Sequence, residues 1–224
     1  MKKSSCIEKS EGKRSIYKVA TVILIGLYFF VPKGYYAYAG PPIEQVKDGI
    51  DRLIVILDDK GYRESHTKEQ LNKRLQDAAH EGFDWEGIAK RSLGLYWKKR
   101  SQEEKKEFTV LFTNLLKNTY TGKLADNYSG DKVIYDKEVI DGNRAFVETR
   151  IVNKDGKEVS VDYRLIKKES KWCVYDIIIE GVSMLKNYRV QFYSIIRQSS
   201  YKELVKKLKA KQLEGIEVST TGSG

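Results

Sequence analysis

The hydrophobic period changes abruptly near residue 130, and that change constrains the fold more than any other feature of the chain. From Lys132 onward, apolar and polar residues alternate in runs of eight to eleven, interrupted by Asp141-Gly142, Asp155-Gly156 and Lys168-Glu169-Ser170-Lys171. Period-two alternation is the signature of a strand with one dry face, and Asp-Gly pairs favour tight hairpin turns. Four strands are expected, over Lys132–Ile140, Arg144–Asn153, Glu158–Lys167 and Trp172–Glu180. Connections this short leave no room for a crossover, so the sheet must be an antiparallel meander. Ala145, Val147, Thr149 and Ile151 share one face of the second strand, and Val159, Val161, Tyr163 and Leu165 one face of the third. That face needs a cover, which only the flanking segments can supply.

Those segments read as helices. Ile43, Val46, Ile50, Leu53, Ile54 and Leu57 recur at helical spacing between Pro42 and about Gly61, and Thr67–His80 is weakly amphipathic. A short helix is expected within Phe83–Trp97. Ser101-Gln102-Glu103-Glu104 is a capping box, whose hydroxyl and carboxylate satisfy open N–H groups of a starting helix. The helix it opens carries a wide stripe of Phe108, Leu111, Phe112, Leu115, Leu116, Thr119, Tyr120 and Leu124. After the sheet, Val182–Arg197 reads as helix, and Tyr201–Leu213 as a basic amphipathic one, followed by a disordered tail from 214 to 224. The fold class is therefore α+β, a four-stranded meander covered by N- and C-terminal helices, in one domain over 40–213.

The first 39 residues stand apart. Lys2, Lys3, Lys9, Lys13, Arg14 and Lys18 precede an apolar run from Val19 to Val31, and Ala37-Tyr38-Ala39 follows as a small-x-small cleavage site. This is the pattern of an export signal cleaved near Ala39, since a spanning helix needs about 20 apolar residues. The segment holds seven of the 41 Lys and Arg but two of the 31 Asp and Glu, so the remainder carries 34 minus 29, a net +5 instead of +10. A charge this mild gives little support to nucleic-acid binding and suits an acidic partner or an anionic membrane surface. Cys173 becomes the one remaining thiol, so an exported chain must rely on its core rather than on a disulfide.

Catalytic patterns are missing. His66 and His80 have no second ligand at metal spacing, and no G-x-S-x-G, P-loop or glycine-rich dinucleotide turn occurs. Asp176 interrupts an apolar strand, and a hydrogen-bonded structural carboxylate is the favoured reading over a catalytic acid. Apolar surface remains, most of it at Ile177-Ile178-Ile179 and across Glu180-Gly181 into Val182-Ser183-Met184-Leu185. A packed core would explain it, and so would a cavity for an apolar ligand.

Four motifs, in order over residues 83–200, carry a resemblance. They are FDWEGIAKRSLG with Trp97, the aromatic helix ending Leu116-x-x-x-Tyr120, D-G-x-x-V-x-V-D-Y-R from Asp155 to Arg164, and W-x-V-Y-D-x-x-I-E-G-V-S-x-x-x-N-Y-R from Trp172 to Arg189. In these the chain resembles the MlaC family of periplasmic phospholipid-binding shuttles, also described as toluene-tolerance auxiliary proteins of an ABC transporter. The resemblance implies a curved antiparallel sheet and helices enclosing a cavity for acyl chains, phospholipid as cargo rather than cofactor, and a non-enzymatic, periplasmic monomer. It implies two partners, an outer-membrane lipoprotein complex and an inner-membrane ABC transporter complex with an MCE-domain subunit. The expected tail contacts are Phe112, Leu116, Tyr120 and Leu124 from the long helix, Val147, Thr149, Tyr163 and Leu165 from the sheet, and Val182 and Leu185 from the turn. The positions matching Tyr120 and Val182 line the cavity in the family. The alternatives are an adaptor with a filled core and a protein-binding surface, and a hydrolase acting through Asp176 or Glu180.

Overall fold

The computed structural model describes residues 40–210; the export signal and the tail expected from the sequence lie outside them. Within that range the order is α1 (Pro42–Asp58), α2 (Lys60–Ser65), α3 (Lys68–Ala79), α4 (Trp85–Leu93), α5 (Gln102–Asn127), β1 (Lys132–Asp141), β2 (Arg144–Val152), β3 (Glu158–Lys168), β4 (Lys171–Ile179), β5 (Val182–Ser183), α6 (Met184–Gln198) and α7 (Tyr201–Lys209). Short 3-10 turns follow α3 and α4.

The sheet is an antiparallel meander in the order β1-β2-β3-β4-β5, one strand more than the alternation predicts. The extra strand arises because Glu180 and Gly181 both take positive φ, at 48° and 75°. Two left-handed residues in succession make a tight hairpin turn. Val182 and Ser183 therefore pair back onto Ile179 and Ile178 before the helix begins. The cost of positive φ at Glu180 is offset locally: its backbone N–H donates to the Ser160 carbonyl and its side chain accepts the Ser160 N–H. Ser183 then caps α6 by accepting from the Lys186 N–H, so the helix starts two residues later than expected.

Each predicted helix exists, with ends moved by local chemistry. The first stops at Asp58 because Asp59 turns the chain and accepts from the Tyr62 N–H, opening a separate α2. The Ser101–Glu104 capping box forms on both sides, and Thr67 with Gln70 makes a second one at α3. Asp84 caps α4 by accepting from Gly87 at 2.9 Å. A Cβ on Gly87 would lie 1.8 Å from that carboxylate, so only glycine permits the approach. The last helix is described as far as Lys209, and Lys211 and Leu213 lie outside the described residues.

The alternation places faces as expected. Ala145, Val147 and Thr149 are buried, as are Val161 and Leu165. Bulges at Asp136 on β1 and Tyr175 on β4 shift the register and bend the strands. The outer face is held by charge, Arg150 gripping Asp136 through two bonds of 2.7 and 2.8 Å and Glu158 through a third.

The interior is not one core. A helical cluster joins Phe108, Phe112, Leu116, Leu185, Tyr188 and Phe192. A second lies between α1 and the sheet and holds Val46, Ala145, Val147, Leu165, Trp172 and Val174. The third ties α1 to α3 through Ile56, Leu57, Leu71 and Leu75.

Candidate functional site

An apolar pocket of about 130 Å³ opens where these three clusters meet. Its walls are Val46, Ile50 and Leu53 on α1, Ala78 and Ala79 at the end of α3, Phe83 on the connection to α4, and Tyr163, Val174 and Ile177 on β3 and β4. Val46, Ile50, Tyr163 and Val174 belong to the sheet cluster, Leu53 and Ala78 pack on the third, and Phe83 and Ile177 touch both the first and second. The helical stripes cannot all close on one another, and the junction stays open.

Phe83 is set in place by backbone and charge together. The Asp84 N–H donates to the Val174 carbonyl at 2.9 Å, so Phe83 runs beside β4 where β5 does not reach. The Asp84 carboxylate, buried, also receives Arg91 at 3.2 Å and Lys168. Burial pushes its carboxyl up, but Lys168, the Gly87 N–H and Arg91 together hold it below the ordinary value. Trp85 stacks on Phe83 at 4.7 Å and supports it from outside.

The chemistry of the lining is nearly all hydrocarbon. Gln45 and Arg52 stand at the rim, and the Tyr163 phenol, pushed well above its usual value by burial, stays neutral. Among the described residues, the lining holds no carboxylate, thiol or imidazole. Asp176 lies elsewhere, with both oxygens committed to Arg164, Ser183 and the Leu185 N–H. Such a pocket can hold apolar matter by burial, at about 25 cal/mol per Å².

The structure brings the ten expected contacts around this junction unevenly. Tyr163 lines the pocket itself. Val147 and Leu165 lie beneath it in the sheet cluster, and Thr149, also buried, donates its hydroxyl to the Val161 carbonyl. Phe112, Leu116 and Leu185 are buried in the helical cluster, with Tyr120 packed on its edge, and Leu124 packs on the third cluster. Val182 does not share this setting: it is 47% exposed, because the hairpin turns it out of the fold. The α1 residues, Phe83, Val174 and Ile177 line the pocket and were not among the residues expected from the sequence. The α1 stripe and the Ile177–Ile179 run were visible signals, but neither says what it faces.

The fold and this site define an α+β domain, a helix-wrapped meander with an apolar pocket between its hydrophobic clusters. The family model described as MlaC protein matches residues 47–210, and the chain belongs to this family. It is 30% identical over 121 residues to the intermembrane phospholipid transport system binding protein MlaC of Haemophilus influenzae, and 25% identical over 117 residues to the toluene tolerance protein ttg2D of Pseudomonas putida. Each match covers 52% of this chain and 56% or 54% of the relative, so the chain spans about half the length of the curated relatives it matches. A phospholipid-binding protein from Ralstonia solanacearum, solved in complex with a phospholipid, superposes with a TM-score of 0.66 at 28% identity, over 75% of this chain and 94% of that one.

Proposed function

We propose that this chain is a periplasmic carrier that encloses the acyl chains of a phospholipid and passes the lipid between an outer-membrane lipoprotein complex and an inner-membrane transporter with an MCE-domain subunit. The observation that carries this reading is the pocket at the junction of the three apolar clusters, lined by hydrocarbon with its polar groups at the rim. The Haemophilus phospholipid transport system binding protein and the Ralstonia protein solved with a phospholipid support it. No catalytic step is part of the proposal.

Energetics favour a carrier. Each buried methylene is worth about 0.8 kcal/mol, so roughly 30 methylenes are kept out of water by some 20 kcal/mol or more. Lipid therefore leaves by docking, not by release into water. At about 130 Å³ the pocket is smaller than the roughly 300–1,000 Å³ that encloses a drug-sized ligand. Enclosing whole tails requires this junction to widen, and α1, which packs on β1 and β2, is the element that covers Val147 and Leu165.

The same small volume favours a second reading, an adaptor with a filled core. Gentle purification of the exported chain, followed by mass spectrometry of an organic extract, separates the two. Near one phospholipid per chain is expected. Folded protein, never exposed to detergent, that yields no lipid would sink the carrier.

A further inference from the structure

Two adjacent rows run along α1 at spacings of four and three residues. Val46, Ile50 and Leu53 form the apolar row, Gln45, Gly49 and Arg52 the flanking one, and all six line the pocket. Arg52 is the single charged residue of that lining among the described residues, and it is exposed. Among the described residues it forms no ion pair within 4 Å. The charges that share its outer side are engaged or held apart: Asp51 takes Lys47, Arg74 reaches Asp59, and Asp48, one turn earlier, does not close on it. A guanidinium left unpaired at the mouth of a hydrocarbon pocket is suited to an anion whose remainder is apolar. Its planar fork matches two phosphate oxygens.

Gly49 makes the same point from another side. Glycine is the poorest helix former after proline, yet Gly49 sits in the interior of α1. A Cβ there would meet nothing nearer than the Arg52 guanidinium, at 3.9 Å, so packing does not require its absence. The missing side chain leaves open surface on the pocket wall between Gln45 and Arg52.

We infer that Arg52 binds the phosphate diester of the lipid at the pocket mouth, and that Gly49 leaves the passage by which glycerol and head reach it. This rests on the carrier reading above. With tails held at the junction behind α1, a phosphate joined to them through glycerol reaches the rim where Arg52 stands. Gln45, seven residues and about 10 Å back along the axis, is placed to meet the glycerol esters.

The test offers the exported chain, stripped of lipid, vesicles containing either dioleoyl phosphatidylglycerol or dioleoylglycerol at the same mole fraction. The two share their tails and differ in the phosphate and its glycerol. Wild type should take up the phospholipid about tenfold or more in preference, the expected effect of one charge-assisted fork. Arg52→Gln should abolish the preference by lowering phospholipid uptake alone, and Arg52→Lys should keep part of it. Inorganic phosphate at millimolar concentration should displace nothing. A glutamine variant with wild-type preference overturns the assignment, as does wild type that takes both lipids equally. Saturation of Arg52 by inorganic phosphate alone, seen in its Nε resonance, overturns it in favour of a free anion. Wild type that takes neither lipid overturns the carrier reading instead.

Discussion

Asp176 and Leu185 are nine residues apart, and the buried carboxylate of the first accepts the backbone N–H of the second at 3.0 Å. The same carboxylate takes Ser183 Oγ at 2.7 Å and Arg164 at 2.9 Å. One side chain thereby joins β3, the β5 turn and the first turn of α6. This explains an acid in an apolar strand without any catalytic role.

Asp176→Ala should cost about 2–4 kcal/mol, because it strands a buried N–H and removes a bond at the helix start. Arg164 adds little, since 46% of its side chain is exposed and water screens the pair. Asp176→Asn keeps one acceptor and should lose about half as much. Urea unfolding of the two variants gives the comparison, and equal stability to wild type would refute the latch.

Asp84 predicts an acid dependence. Its folded carboxyl is held below the ordinary value of 3.8, so it contributes stability that is fully present above that value. The contribution is lost as pH falls through the lower folded pKa. Melting temperature should drop more steeply below pH of about 4 in wild type than in Asp84→Asn, which no longer titrates. Parallel curves would show that Asp84 is not a source of acid sensitivity.

The pocket and the exposed turn make opposite predictions for the same substitution. Ile50→Glu places an unpaired charge among hydrocarbon, at a cost of several kcal/mol to a bound lipid. Phospholipid in the purified protein should fall sharply while circular dichroism stays native. Val182→Glu, at a site 47% exposed, should leave both unchanged. Lipid loss in the Val182 variant with retention in the Ile50 variant would move the site to the turn.

The last helix divides its work by face. Leu204 and Leu208 are buried in the helical cluster, so Leu208→Ala should destabilise by about 2–5 kcal/mol. Lys202 and Lys206 are exposed, and Lys209 reaches Glu107 at 2.7 Å. Reversal of Lys202, Lys206 and Lys207 to glutamate should slow lipid transfer to anionic vesicles at low salt, with bound lipid unchanged. The deficit should shrink near physiological salt, where charges are screened beyond ~8 Å. Transfer rates equal to wild type at both salt levels would leave the helix as packing alone.

The sequence by itself determined the elements and their faces. Alternation, Asp141-Gly142 and Asp155-Gly156 specify a meander with Val147 and Leu165 on its dry side, because period and turn chemistry are local properties. The Ser101–Glu104 box is local for the same reason, and so is the stripe on α5. Tertiary structure decided what those faces meet. A stripe such as Val46, Ile50 and Leu53 shows that one side of α1 is covered, but not by which strands. The β5 pairing depended on whether Glu180 would tolerate positive φ, which its bonds to Ser160 settle across a gap of 20 residues. The pocket is the most non-local feature: it is a distance between three clusters, carried by residues from 45 to 177 that share no motif.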